Sequence, residues 1–484
     1  MIVQLTPTPK LSAFRRQPPT PPPTLAAITL LFAATAGGPA MATDTDSAKR
    51  GLEIRSGQVS YPTNENVLAR DLEGNQVIAK VHLQIDRTFV LLFPDGQLAT
   101  QPIVNTQSTS KPFVAIDKKT LARKVLASMP SENGWKTRRT RHYVFVYNTT
   151  AEFALATSRI LETMLPGIRK FSQNQKIPTS DPTVPMVVIM FATEHEFQAY
   201  RPVGRGVRAY YEPVSNRVVL YQGQQSSPGL KPQLALQQAI STIAHEGVHQ
   251  ILHNIGVQQR LSYWPMWISE GLAEYFAPTS VGKRMRWKGL GKINDLRMFE
   301  LEQLIKSQPT EAAGKLLIEP TVTANRLSSN GYASAWAITH FLAQRRKSQF
   351  RAYLQTVSQL KPFQGISYNN DRERIGEHFT LFRAHFGENL NRLEAALTQH
   401  LKELPYNDPY AEFPHLVGMV IYGDGRQLKR VANVFHTREV AEKWTTETLE
   451  RLPEPSRSTA RYSLRSFPNR AVAEQFADRW MKTR

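Results

Sequence analysis

The spacing of apolar and polar residues changes character along the chain, and each change predicts a different kind of element. Between residues 51 and 115 the β-rich runs Val77–Leu83 and Phe89–Phe93 stand beside the turn signals Glu73-Gly74-Asn75 and Pro94-Asp95-Gly96. Gly-Asn and Asp-Gly turns flanked by alternating apolar residues are hairpin signals, so a small β-rich module is expected over 51–115. A helix near Leu121–Ser128 and a boundary at Pro130–Gly134 lead out of it. From His142 strands and helices alternate. Tyr143, Phe145 and Tyr147 alternate with Val144 and Val146 as a strand, and Phe153, Ile160, Met164, Ile168 and Phe171 recur at helical spacing. Pro185–Phe191 reads as a buried strand, and Val207–Tyr211 with Arg217–Tyr221, turning over Pro213–Asn216, as a hairpin at the sheet edge.

Lys231–Asn254 is predicted to be a helix, with Pro232 in its first turn and Gly256 closing it. A second helix runs from Pro265 to about Phe276 and stops before Pro278. Beyond residue 295 the pattern is mostly helical, including an amphipathic stretch at Tyr332–Gln344. The main domain therefore spans 136–403. A tail over 415–484 holds a weak repeat with a period of 32, in which Phe435, Arg438, Val440, Ala441, Glu442 and Trp444 correspond to Phe467, Arg470, Val472, Ala473, Glu474 and Phe476. Each copy follows a strand-like run and opens a helix, which predicts a small α+β module of two strand–helix units. The shared positions are those that pack a helix on a strand, so a docking element without chemistry accounts for them.

The opening of the chain has the texture of an address. Lys10, Arg15 and Arg16 precede an apolar run from Leu25 to Ala36, and Ala40-Met41-Ala42 resembles a cleavage signal, so residues 1–42 are expected to be a signal peptide. The run is about a dozen residues where a spanning helix needs roughly 20, and no later segment has the length to span. The expected location is periplasmic, cell-envelope or extracellular. Composition adds two constraints. The 484 residues include no cysteine, so a metal would be held by histidine, carboxylate and water. The formal charge of +20 favours polyanions such as a cell-envelope polymer through long-range attraction. The charges are scattered apart from the Lys136–Arg141 run, which fits a solvated basic surface and carries no signature of specific nucleic-acid binding.

The chemistry concentrates in His245-Glu246-Gly247-Val248-His249, inside the first of the two helices. Imidazoles four residues apart project from one helical face, one turn from each other, and suit two vertices of a zinc tetrahedron. Glu246 beside them has the reach of a general base that takes a proton from water and passes it to a leaving amine. Gly247 costs about 1 kcal/mol in a helix relative to alanine, which points to close approach of another element or of substrate. The following helix carries Trp267-Ile268-Ser269-Glu270-Gly271-Leu272-Ala273-Glu274-Tyr275-Phe276.

These two helices together resemble the gluzincin, or peptidase MA-like, zinc metallopeptidases. The likeness covers roughly residues 136 to 345, with a zincin-like order of strand, long helix, strand, edge hairpin, zinc helix and glutamate helix. More narrowly, Gly134-Trp135, Tyr210-Tyr211-Glu212-Pro213 and Gly331-Tyr332-Ala333-Ser334-Ala335-Trp336 look like an exported bacterial domain family described only as of unknown function. The resemblance implies one zinc ion held by His245, His249 and Glu270, with Glu274 orienting a ligand histidine from behind, and a peptide or protein as substrate. A two-histidine, one-glutamate site also accepts neighbouring divalent metals. The glycine-alanine-methionine-glutamate-asparagine segment of aminopeptidases is absent, which favours an endopeptidase. Tyr332 resembles in position the tyrosine that stabilises the oxyanion in related enzymes, and it also fits an aromatic packing stripe with Trp336. His253 and His340 read as packed or surface residues. If the edge hairpin flanks the cleft, an extended peptide could add to it through main-chain bonds, with the Val219 N–H as a candidate donor. The competing expectation is a binding or scaffold protein that keeps the fold and has lost turnover; an intact Glu246 weighs against it.

Overall fold

The computed structural model describes Leu52 and residues 57–130, 134–204, 206–222, 232–280, 286–287, 289–306, 316–364, 371–423 and 428–483. The expected leader lies outside these residues, as do positions 131–133 of the expected boundary. The described chain is a mixture of α-helices and several sheets, and among the described residues no helix is long and apolar enough to cross a membrane. It divides into two compact units. The larger contains the described residues up to Asn294 together with 316–404, and the smaller contains 295–306 and 405–483.

Two sheets organise the larger unit. The first comprises β1 (Val59–Ser60), β2 (Asn66–Arg70), β3 (Gln76–Ile85), β4 (Thr88–Leu92), β5 (Leu98–Pro102) and β6 (Gln107–Thr109), in the order β5-β4-β3-β2-β6 with β1 also on β3. All its pairs are antiparallel. Its long strand carries a bulge between Val81 and Leu83. One extra residue reverses the side-chain parity. Ala79 and Val81 therefore join Val67, Phe89 and Leu91 in one core, whereas Leu83 and Ile85 join Val90, Leu98, Leu261 and Phe363 in another. Both faces are thus covered, and the second packs on the segment that follows the candidate zinc helix.

The helix α1 (Lys118–Ala127), capped by Asp117, leads to the second sheet. This sheet is formed by β7 (Lys136–Arg139), β8 (Tyr143–Tyr147), β9 (Met186–Phe191), β10 (Ala209–Glu212) and β11 (Arg217–Tyr221), in the order β10-β11-β9-β8-β7. The inner strands β8, β9 and β11 run parallel, and the edge strands β7 and β10 pair antiparallel. Near-continuous burial of Tyr143–Val146 and Met186–Phe191 is what a parallel core sheet demands. Two crossover helices, α2 (Ala151–Asn174) and α3 (Glu194–Tyr200), start at threonine caps, Thr150 and Thr193. The hairpin is at the edge as expected, but β10 is its outer strand. Val219 lies on the inner strand β11, between β10 and β9, so its N–H is not presented to a peptide at the edge.

Against this sheet lies α4 (Pro232–Asn254), followed by α5 (Met266–Phe276). Gly256, at φ +82°, ends the first of them in the left-handed conformation that glycine adopts without strain. In the second every residue from Trp267 to Phe276 is buried. After α5 come the two short antiparallel strands β12 (Thr279–Ser280) and β13 (Arg286–Trp287), and the remaining elements of the larger unit are helices: α7 (Ile318–Val322), α8 (Ser329–Arg345), α9 (Lys347–Ser358), α10 (Asp371–Phe386) and α11 (Leu390–Glu403), with α6 (Asp295–Lys306) in the smaller unit.

In the smaller unit a three-stranded antiparallel sheet has β14 (His415–Tyr422) between β15 (Lys429–Phe435) and β16 (Arg461–Phe467). The helices α12 (Arg438–Glu450) and α14 (Arg470–Lys482), with the short α13 (Glu454–Thr459) between them, follow the two outer strands at the 32-residue spacing and start at side-chain caps, Thr437 and Asn469. The central strand belongs to neither copy of the repeat. Val417 and Met419 face Ala473 and Ala477 of α14, while Gly418 lies against Trp444 of α12, so the helices cover opposite faces.

Candidate metal centre

Helix α4 is buried on nearly all sides, yet Gln238, Thr242, His245, Glu246, His249 and Gln250 are polar and buried within it. Polar groups in such a setting need partners. Gln250 finds them in the carbonyls of Val187 and Asn216, 3.0 and 2.8 Å away, which fixes the helix to the sheet. His245 and His249 turn instead toward α5, where Glu270 meets them. The Nε2 of His245 is 3.0 Å from Glu270 Oε2 and 3.3 Å from His249 Nε2, and the His249 Nε2 is 3.4 Å from the same oxygen.

Those three edges test whether a metal fits. Zinc bonds to nitrogen and oxygen of about 2.0–2.1 Å place tetrahedral ligands roughly 3.3 Å apart, close to each observed separation. All three residues are buried, and the second oxygen of Glu270 is buried without a hydrogen-bond partner. The donor set, two imidazoles and a carboxylate, suits zinc and neighbouring divalent ions. The electrostatics agree. Burial would lower the His245 imidazole, but the carboxylates of Glu270 and Glu274 overcome it and raise it to about 10. Burial would raise Glu270, but His249 and His245 hold it down to about 2. The site is thus built for positive charge at its centre.

Each of these helices packs closely on a neighbour at a glycine. A Cβ on Gly247 would run into the Leu161 side chain of α2, which accounts for glycine there by close approach of another element. A Cβ on Gly271 would meet Thr339 Oγ1 and lie 2.7 Å from the Ala335 carbonyl oxygen of α8, so that contact admits no larger side chain without backbone movement.

Glu246 points toward the hairpin. Its Oε2 accepts from the Tyr211 backbone N–H of β10 at 2.8 Å, and its Oε1 is buried with no hydrogen-bond partner. Burial pushes the carboxyl above its ordinary range, against the pull of His245 and His249. A cleft lined by Tyr211, Pro213, His253, Gln258 and Ser269 reaches Glu246 and His249. The hairpin turn beside it is clamped by Arg260, whose guanidinium donates to the carbonyls of Pro213, Val214 and Gly96 at 2.6, 2.7 and 2.8 Å. Tyr332, buried on α8, sets its ring 6.0 Å from that of His245 in an edge-on contact. Trp336 is one turn along and packs on His340, so the tyrosine adjoins the triad and also heads an aromatic stripe.

Behind the triad the Nδ1 of His245 is 3.0 Å from Glu274 Oε1, and Glu274 Oε2 accepts from Asn294 Nδ2 at 3.1 Å. Sequence reasoning anticipated His245, Glu246, His249, Glu270, Glu274 and Tyr332, and the fold gathers all six. It missed Asn294, Tyr211 and Arg260. Asn294 is 20 residues from Glu274, beyond α5, and carries no motif spacing, while Tyr211 acts through its main chain. His253 lines the cleft rather than the triad; burial, with His249 and Arg260 nearby, lowers its imidazole to about 3.

Residues 239–364, which hold most of α4 and the whole of α5 through α9, match the family described as "Protein of unknown function (DUF1570)". No curated protein matches the chain.

Proposed function

We propose that the chain is an exported zinc-dependent endopeptidase with a zincin-like catalytic domain of the gluzincin kind. The observation that carries this reading is the unpartnered Oε1 of Glu246, a buried carboxylate oxygen beside a buried His245–His249–Glu270 triad. A zinc ion held by those three residues would supply a Lewis acid that polarises a carbonyl and eases the deprotonation of water. Glu246 supplies the base. The Tyr211 N–H holds one carboxylate oxygen in place, leaving the other to take a proton from the attacking water and return it to the departing amine. Tyr332, against His245, is the candidate donor to the oxyanion that develops on the scissile carbonyl. Strand β10, outermost in its sheet and bonded to Glu246, offers the edge along which an extended peptide would align.

The test is metal content and cleavage of an unstructured protein such as casein, on the same preparations of wild type, His249→Ala and Glu246→Ala. Near-stoichiometric zinc in wild type and Glu246→Ala, its loss in His249→Ala, and cleavage by wild type alone are the expected results. Zinc without cleavage of a broad peptide library would overturn the peptidase reading in favour of a binding role.

A further inference from the structure

The carboxylate behind His245 is itself held by a residue from outside the two motif helices. Glu274 is 1 % exposed, and its two oxygens are divided between His245 Nδ1 and Asn294 Nδ2, at 3.0 and 3.1 Å. A histidine that donates from Nδ1 keeps its lone pair on Nε2, the nitrogen that faces Glu270 and His249. The direction of that lone pair therefore depends on where the Glu274 carboxylate plane is fixed.

Asn294 is 6 % exposed and is itself presented by an anchored turn. Gly291, three residues earlier, has φ +68°, and a Cβ there would lie 2.7 Å from Gln344 Nε2 and 3.4 Å from the Tyr275 hydroxyl. His340 hydrogen-bonds the Gly291 backbone. Its protonation pattern can be assigned from its neighbours. Arg345 Nε can only donate, so His400 Nδ1, 3.2 Å away, accepts. His400 Nε2 then donates to His340 Nδ1 at 3.0 Å, leaving the His340 Nε2–H for the Gly291 carbonyl. A line of bonds thus runs from α8 and α11 to the turn that delivers the Asn294 amide.

We infer that Asn294 is a positioning residue for the metal centre: its amide, delivered by the turn that His340 pins at Gly291, fixes the Glu274 carboxylate and through it the orientation of His245. This inference rests on the metal reading proposed above and extends it to a residue on neither motif helix. The asparagine touches no reacting atom; it acts through Glu274.

The experiment measures zinc affinity of the full chain by competition with a chromophoric chelator, together with melting temperatures of the metal-free and zinc-loaded protein. Asn294→Ala is expected to weaken zinc binding about 10- to 100-fold, the range for losing a group that orients a ligand. It should lower the melting temperature of the zinc-loaded protein more than that of the metal-free protein, because the stabilisation by a ligand follows its affinity. A swap of hydrogen-bonding roles provides the discriminating control. In Glu274→Gln with Asn294→Asp, the glutamine oxygen still accepts from His245 and its amide donates to the new carboxylate, so the double variant should bind zinc more tightly than either single variant. Equal zinc affinity in wild type and Asn294→Ala, or a double variant no better than the singles, would overturn the inference while leaving the metal site standing. A wild-type protein that takes up no zinc would overturn both.

Discussion

Two buried histidine pairs lie in the same unit and invite comparison. His245 and His249 have nitrogens 3.3 Å apart, and His340 and His400 have nitrogens 3.0 Å apart. Distance alone does not separate them. In the second pair every nitrogen has a defined partner, from Arg345 through the two rings to Gly291, and burial keeps both imidazoles below their ordinary value. In the first pair two ring nitrogens converge on one carboxylate oxygen, and carboxylates raise His245 to about 10 despite complete burial. A histidine pair becomes a cation site when lone pairs converge with surplus negative charge. It becomes a structural strut when donors and acceptors alternate.

The largest test of that contrast is to delete one member of each pair. His249→Ala should abolish stoichiometric zinc binding, while His400→Ala should retain it; metal analysis of dialysed protein reads both. Glu246→Gln comes next. It should keep zinc and reduce peptide hydrolysis by about 10²- to 10⁴-fold, the usual contribution of a positioned base, as followed by turnover of a fluorogenic peptide.

Stability should distinguish the glycines of the two helices that carry the triad. Gly271→Ala is expected to cost about 1–3 kcal/mol, as overpacking does, because the Ala335 carbonyl oxygen is backbone and cannot step aside. Gly247→Ala should cost less, since it presses on the movable end of Leu161 and gains helix propensity. Chemical denaturation of the metal-free protein measures the difference.

The second pair's response to acid extends the comparison. His340 falls from 6.5 to about 4 through burial and the neighbouring His400, itself lowered by burial and Arg345. A depressed imidazole takes up its proton more readily in the unfolded chain. Its contribution to stability is therefore present above pH 6.5 and is lost as the pH falls toward 4, by about 1.4 kcal/mol per pH unit for each group. His82 and His253, lowered to about 4 and 3, add slopes of the same sign. The diagnostic quantity is accordingly the difference between wild type and His340→Gln, whose melting curve over that range should descend less steeply.

Much of the site was legible from the chain itself. The spacing of His245 and His249 on a helix, Glu246 between them, and Glu270 and Glu274 one turn apart are local properties, since helical geometry converts sequence separation directly into direction. The hairpin and the 32-residue repeat were legible for the same reason: turn chemistry and amphipathic period are written in neighbouring residues. The bulge at Val81–Leu83 was not, because one inserted residue leaves the alternation looking continuous while the faces exchange. Nor was β14, whose central place depends on partners from both copies of the repeat.

The donors and the elements that carry them can thus be read from local pattern. Which donors converge is a property of the packed fold. Glu270 reaches the histidines across the contact of α5 with α4, in a packing where Gly271 admits α8 against α5 and Gly247 admits α2 against α4. Asn294 reaches Glu274 because a turn is pinned at Gly291 by a histidine on another helix, and Tyr211 reaches Glu246 through a main-chain N–H common to almost every residue type. Periodicity specifies a direction within one element. Contact between elements depends on the close packing of many side chains at once, and no single stretch of sequence contains it.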